Sequence, residues 1–213
     1  MGRTSLTMAQ HNIKNIIFDL GGILLTIDYQ KTEDAFVALG VQNFKALYAQ
    51  HHASHLFEQL EIGAISNEAF FDALRTTANV HLSNEQITTA WNAMLGQFPA
   101  DRIAALQALS KHYRIFLYSN TNAIHHAAFM QIFETQFPEI SFDNIFEKAY
   151  YSHTFGYRKP YASSYTQLLA DAGLAANETL FIDDTFVNIE GAKAAGLLTA
   201  HVVPPSTFLS LGL

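Results

Sequence analysis

The chain has 213 residues, 49% of them hydrophobic and 15% charged, and a formal net charge of −7. That is enough for one large domain or a domain carrying an insertion, and the acidic balance gives no electrostatic footprint for nucleic acid. The absence of cysteine excludes disulfides, thiolate nucleophiles and zinc–thiolate sites and fits a reducing cytoplasm.

The first dozen residues, Met1 to Asn12, are polar. They lack the apolar core of a signal peptide and read as a loose tail. No later run approaches the roughly 20 apolar residues of a membrane span, so no membrane partner is expected. Short apolar runs bounded by polar or turn residues read as strands at Ile13–Asp19, Arg114–Ser119, Glu147–Ser152, Thr179–Asp183 and Leu198–Val203. Helical patterns fill Pro99–His112, Asn122–Phe137, Tyr161–Ala172 and Phe186–Ala195. Strands alternating with helices predict an α/β fold: a Rossmann-like parallel sheet with helices on both faces.

Residues 29–98 differ. They hold no convincing strand, and apolar residues recur at helical spacing, as in Ala35, Phe36 and Leu39, then Phe70, Phe71 and Leu74. Ser66 reads as a helix start, Ser83 with Gln86 as a capping box, and Gly63 as a bend between helices. The expected organisation is an α/β core of residues 12–28 and 99–213 with a helical cap, 29–98, inserted after the first strand. Thr26–Tyr29 and Leu95–Pro99 are its expected hinges.

Parallel sheets bind ligands beyond the carboxyl ends of their strands, where Asp19, Ser119 and Asp183 fall. Asp183 is followed by Asp184. Carboxylates gathered from distant stretches repel unless a positive charge sits among them, and a hard divalent cation such as magnesium takes oxygen ligands. Taken singly, each motif has an ordinary explanation. Paired aspartates cap helices, Ser119-Asn120-Thr121 makes a turn, Lys159-Pro160 opens a helix, and Asp19 before two glycines marks a bend.

Their order is more telling. Phe18-Asp19-Leu20-Gly21-Gly22, a helical insert, Tyr118-Ser119-Asn120-Thr121, Gly156-Tyr157-Arg158-Lys159-Pro160 and Phe181-Ile182-Asp183-Asp184-Thr185 follow one another. The chain resembles the haloacid dehalogenase-like (HAD) hydrolases over nearly its whole length. The likeness is greatest to the subgroup with a small helical cap, which includes sugar-phosphate phosphatases and the amino-terminal domains of some epoxide hydrolases. The resemblance implies that Asp19 is a nucleophile forming an aspartyl-phosphate. It implies Mg2+ held by Asp19, the Gly21 carbonyl and Asp184, with Asp183 assisting. Ser119 and the Asn120 backbone N–H would bind phosphate, Lys159 would neutralise charge on the nucleophile and the transferring group, and Asn188 would orient water. The implied partner is a small, sugar phosphate-like metabolite, chosen by a cap surface that includes Phe57 to Glu61; monomer and dimer both stay open.

One position departs from the pattern. Most phosphatases of this superfamily carry a second aspartate where this chain has Gly21, and such an acid/base group contributes about 100- to 10,000-fold. The expectation is a phosphatase that favours good leaving groups. His125 and His126 are candidate substitute acids, against a default of exposed positions on an ordinary helix, and Asp28 is a candidate at the hinge. The alternatives are a 2-haloacid dehalogenase-type hydrolase and a phospho-ligand-binding protein without turnover. His51, His52 and His55 read as a polar cap face rather than a metal site. His153 is open between substrate contact and surface, and Trp91 is expected in the core or at the cap–core contact.

Overall fold

The computed structural model describes residues 12–42, 44 and 55–213. Met1–His11, His51, His52 and the side chain of His55 lie outside the described residues.

Five strands are described: β1 (Asn15–Phe18), β2 (Arg114–Ser119), β3 (Lys148–Tyr151), β4 (Thr179–Asp183) and β5 (Leu198–His201). They form one parallel sheet in the order β3-β2-β1-β4-β5. The helices described are α1 (Tyr29–Ala38), α2 (His55–Glu61), α3 (Asn67–Ala78), α4 (Asn84–Asn92), α5 (Ala100–Leu109), α6 (Ala123–Gln136), α7 (Ser152–Phe155), α8 (Ala162–Ala172) and α9 (Phe186–Ala194).

The period of two along each strand sorts its side chains onto two covered faces. Ile16, Phe18, Ile115 and Leu117 pack with Ile103 and Leu106 of α5 and Phe129 and Phe133 of α6. Ile17, Phe116, Tyr118 and Phe181 pack with Tyr165 and Leu168 of α8 and Ile189 of α9. Burial on both faces is why the central strands β1, β2 and β4 read as nearly continuous apolar runs. Each fully buried Ile, Leu or Phe contributes about 1.5–3 kcal/mol.

The third strand was expected to reach Ser152, but the chain turns into α7 there. The Ser152 hydroxyl is engaged by the loop after β2. It accepts from the Thr121 N–H and donates to the Thr121 carbonyl, both at 2.9 Å, so Ser152 joins the ends of β2 and β3.

Helices α1–α4 surround a separate cluster containing Phe36, Phe57, Phe70, Leu74, Ile87 and Trp91, which Ile124 of α6 also joins. Short polar residues start these helices. Asp28 accepts from the Gln30 N–H at the start of α1, Ser66 from the Ala69 N–H at α3, and Ser83 and Gln86 form a reciprocal capping box at α4. The two segments leading into and out of this bundle pair with each other. Thr26 N–H donates to Gln97 O (3.0 Å), Gly96 N–H to Thr26 O (2.9 Å) and Asp28 N–H to Met94 O (2.9 Å). No described helix is long and apolar enough to cross a membrane.

Candidate active site

β1 stands between β2 and β4, so chain leaving its carboxyl end meets the ends of both neighbours. Asp19 follows β1 directly and stays anchored, its N–H donating to Ile182 O at 2.9 Å. Asp183 is the last residue of β4 and is fully buried; Asp19 is 8% exposed. One carboxylate oxygen from each of Asp19, Asp183 and Asp184 lies within 4.8 Å of the others.

Lys159 enters this cluster from the loop before α8. Its Nζ is 2.7 Å from Asp19 Oδ1 and 2.7 Å from Asp183 Oδ2, and the residue is 1% exposed. The faces of Phe181 and Tyr118 lie 5.4 and 5.7 Å from the ammonium. Asn120 fixes the Lys159 backbone by a reciprocal pair: Lys159 N–H donates to Asn120 Oδ1 (2.9 Å) and Asn120 Nδ2 donates to Lys159 O (3.0 Å). Asn188 donates Nδ2–H to both oxygens of Asp183, at 3.1 Å each, and the Thr185 N–H adds a third donor at 2.7 Å. Asn188 therefore holds Asp183 while also lining the cavity.

The charges do not balance. Burial pushes Asp19 up to about 7 against the pull of Lys159, with Asp183 and Asp184 reinforcing the rise. Burial and Asp183 raise Asp184 as well. Burial opposes the charge on Lys159, but Asp183 and Asp19 more than offset it and lift its pKa above the ordinary lysine value. One ammonium is shared among three carboxylates, so the cluster favours either an added proton or an added cation.

The Gly21–Gly22 turn shapes the rim. Gly22 has φ +73°, and a Cβ there would lie 2.0 Å from Asp184 Oδ2. Glycine is therefore required at 22 for Asp184 to keep its place. Arg102 of α5 pins the turn by donating from Nη1 to Gly22 O (3.0 Å) and Ile23 O (2.9 Å). A Cβ on Gly21 would meet Ile27 Cγ1 at 3.3 Å, so Ile27 occupies the space beside it.

A cavity of about 470 Å³ opens over these groups, a volume suited to a small metabolite. Asp19, Gly21, Ser119, Asn120, Lys159 and Asp184 all line it, as do Phe57 and Glu61. Asp183 lies beneath, fully buried.

The histidines correct one expectation. His125 is not exposed but 8% accessible, stacked on Trp91 at 4.8 Å between ring centroids. Its Nε2–H donates to Trp91 O (3.0 Å) and its Nδ1 accepts from Asn122 Nδ2 (3.2 Å). Burial pushes it down to about 4 despite the Trp91 bond. A neutral imidazole with both nitrogens engaged is a poor proton donor, so His125 joins Trp91 to α6 instead. His126 lies against Tyr151 and His153, outside the residues that line the cavity. Asp28 is exposed and caps α1.

A family model of haloacid dehalogenase-like hydrolases matches residues 13–196. The chain belongs to the haloacid dehalogenase-like hydrolases. It is 30% identical over 192 residues to a D-ribitol-5-phosphate phosphatase of Bacteroides thetaiotaomicron, covering 88% of this chain and 90% of that one. It is also 30% identical over 190 residues to a sesquiterpene phosphatase of Aspergillus oryzae, covering 89% of each. A solved HAD family enzyme of Bacteroides thetaiotaomicron, in complex with magnesium and inorganic phosphate, superposes with a TM-score of 0.84 at 31% identity, covering 93% of this chain and 98% of that one.

Sequence reasoning missed several positioning residues. Gly22, Arg102, Ser152 and the side chain of Asn120 all act on partners far away in the chain. The second glycine of the Gly-Gly pair was the one available signal.

Proposed function

We propose that this HAD-like hydrolase is a Mg2+-dependent phosphatase of small phosphorylated metabolites. The observation that carries the reading is Lys159 Nζ at 2.7 Å from both Asp19 and Asp183, with three carboxylates drawn together beside it. The donor set suits a hard dication: it is all oxygen, it carries three negative charges to one positive, and Gly22 reserves the space of Asp184. Asp19, Asp184 and the Gly21 carbonyl would hold the ion. Asp183, already accepting from Lys159, Asn188 and Thr185, anchors the cluster. Bound magnesium supplies Lewis-acid polarisation and charge neutralisation at the phosphate oxygens.

The protein's own groups divide the remaining work. An oxygen of Asp19 attacks phosphorus, forming an Asp19–phosphate bond as the ester P–O bond breaks and the departing alkoxide takes a proton from solvent. Water then attacks phosphorus, gives up a proton to solvent, and breaks the Asp19–phosphate bond to free the carboxylate and inorganic phosphate. Lys159 draws the Asp19 carboxyl toward its ionised form against the effect of burial and offsets charge on the transferring group. Ser119 and the Asn120 N–H orient its oxygens. Residues 29–98 act as a lid on the core formed by 12–28 and 99–213, and the paired segments at Thr26–Tyr29 and Leu95–Pro99 serve as a joint hinge that excludes water during transfer.

The test is phosphate release from an aryl phosphate with and without magnesium, alongside Asp19→Asn. Turnover is expected to need magnesium and to vanish in the variant. Magnesium-independent release, full activity of Asp19→Asn, or phosphate binding by the wild type without turnover would each overturn the reading.

A further inference from the structure

The remainder of the cavity wall is mixed. Ile27, Phe57, Trp91, Met94 and Leu95 are apolar, and a hydrocarbon alcohol would suit them. Glu61, the last residue of α2, and Arg158, immediately before Lys159, break that pattern while lining the same cavity. Arg158 Nη2 lies 2.9 Å from Glu61 Oε2, and the two side chains are 16% and 20% exposed.

A second carboxylate extends the cluster. Arg158 Nη1 lies 3.5 Å from Glu58 Oε1, which also accepts from the Tyr161 hydroxyl at 3.3 Å. The turn after α2 is seated against α7, the short helix that precedes this loop: Gly63 has φ +69°, and a Cβ there would come within 2.2 Å of the His153 carbonyl. The cap residues and the loop carrying Lys159 are thus held in register at this point.

A charged pair withdrawn from water is costly unless its remaining valences are met. Here they are met only in part within the fold. Glu61 Oε2 has Arg158 Nη2 as its one close partner among the described residues, and the buried Arg158 Nε makes no hydrogen bond to any described residue. Burial raises the Glu61 carboxyl against the pull of Arg158. A hydroxyl group is both donor and acceptor, so it suits a carboxylate and a guanidinium side by side. Hydrocarbon offers neither.

We propose that Glu61 and Arg158 are the specificity-determining pair for the alcohol part of the substrate, and that this part carries hydroxyl groups: a polyol or sugar phosphate monoester rather than a hydrocarbon one. The proposal rests on the phosphatase reading and names its substrate class. It separates two chemistries represented among the relatives, one named for ribitol phosphate and the other for a sesquiterpene.

The experiment compares a pentitol 5-phosphate with n-pentyl phosphate, esters of matched length and similar leaving group, and follows both with magnesium present. Wild type is expected to favour the pentitol ester in kcat/KM by at least about tenfold, as one charge-assisted hydrogen bond allows. Glu61→Gln is expected to reduce that preference by about tenfold, mainly through KM. Equal or reversed wild-type preference overturns the proposal whether or not the variant folds. Equal losses on both esters in Glu61→Gln also overturn it, leaving the pair as a latch. Aryl phosphate turnover without pentitol preference leaves the phosphatase reading standing while this one falls; turnover of none of the three esters sinks both.

Discussion

Replacing Lys159 by methionine removes the ammonium and keeps most of the stem. In the wild type Nζ is 2.7 Å from both Asp19 and Asp183, in a side chain that is 1% exposed. Deleting one partner of a buried ion pair costs about 3–5 kcal/mol, because the charge left behind is uncompensated. The loss falls unequally. Asp183 keeps Asn188 and the Thr185 N–H, whereas no other described residue hydrogen-bonds the Asp19 carboxylate. Urea unfolding in EDTA near neutral pH is therefore expected to show a deficit of about 3–5 kcal/mol. Three carboxylates without a counter-charge attract a dication more strongly, so the deficit narrows as magnesium saturates both proteins. Turnover does not recover, because the ammonium also serves the transferring group; a loss of about 100- to 1,000-fold is expected. A variant with the wild-type urea midpoint in EDTA, or with a deficit untouched by saturating magnesium, would refute the electrostatic account of this site.

Two further outcomes follow from local geometry. Gly22→Ala places a Cβ 2.0 Å from Asp184 Oδ2 at φ +73°; it is expected to cost about 1–2 kcal/mol in backbone strain and to weaken magnesium binding by at least about tenfold in calorimetric titration. Gly21→Ala, whose Cβ meets only the Ile27 side chain, retains that binding, and equal magnesium affinity in the two variants would contradict the assignment. His125 is held down to about 4 from 6.5, so the fold favours its neutral form: the stability it contributes is complete above about pH 6.5 and is lost as pH falls through about 4, a change of about 3 kcal/mol. Urea midpoints measured across that window are expected to fall less in His125→Gln than in wild type, and parallel curves would remove His125 as the source.

The sheet was legible because burial on both faces wrote its central strands, β1, β2 and β4, as apolar runs, and the helix starts at Ser66 and Ser83 were legible because capping is local. Boundaries were less so: Ser152 left its expected strand for a reason supplied by Thr121. The side chains that meet at the strand ends were also readable, since Asp19, Ser119 and Asp183 sit where β1, β2 and β4 stop. Contacts across the chain were not. Gly21 drew attention, yet the steric demand falls on Gly22 and arises from Asp184. His125 looked like a residue on an open helix face; the Trp91 that buries it comes from the helical insertion. Glu61 and Arg158 are unremarkable singly and become a pair only when α2 is seated on the loop before Lys159.

Gly21 and the Glu61–Arg158 pair make demands on each other. A polyol phosphate releases a poor leaving group, a primary alkoxide, and Gly21 has no proton to give it. Ile27 fills the space beside Gly21, and both ring nitrogens of His125 are taken. Hydrocarbon esters, which gain nothing from Glu61 or Arg158, therefore expose the chemical step itself. Across a series of aryl and alkyl phosphates without hydroxyls, log kcat at saturating magnesium is expected to rise steadily as the leaving alcohol becomes more acidic, because no positioned acid levels the differences. A flat series would mean that a donor from elsewhere in the protein reaches the leaving oxygen. Glu61, the carboxyl lining the cavity outside the Asp19, Asp183 and Asp184 cluster, would then be the first to replace, and Glu61→Gln would steepen the slope as well as change the preference.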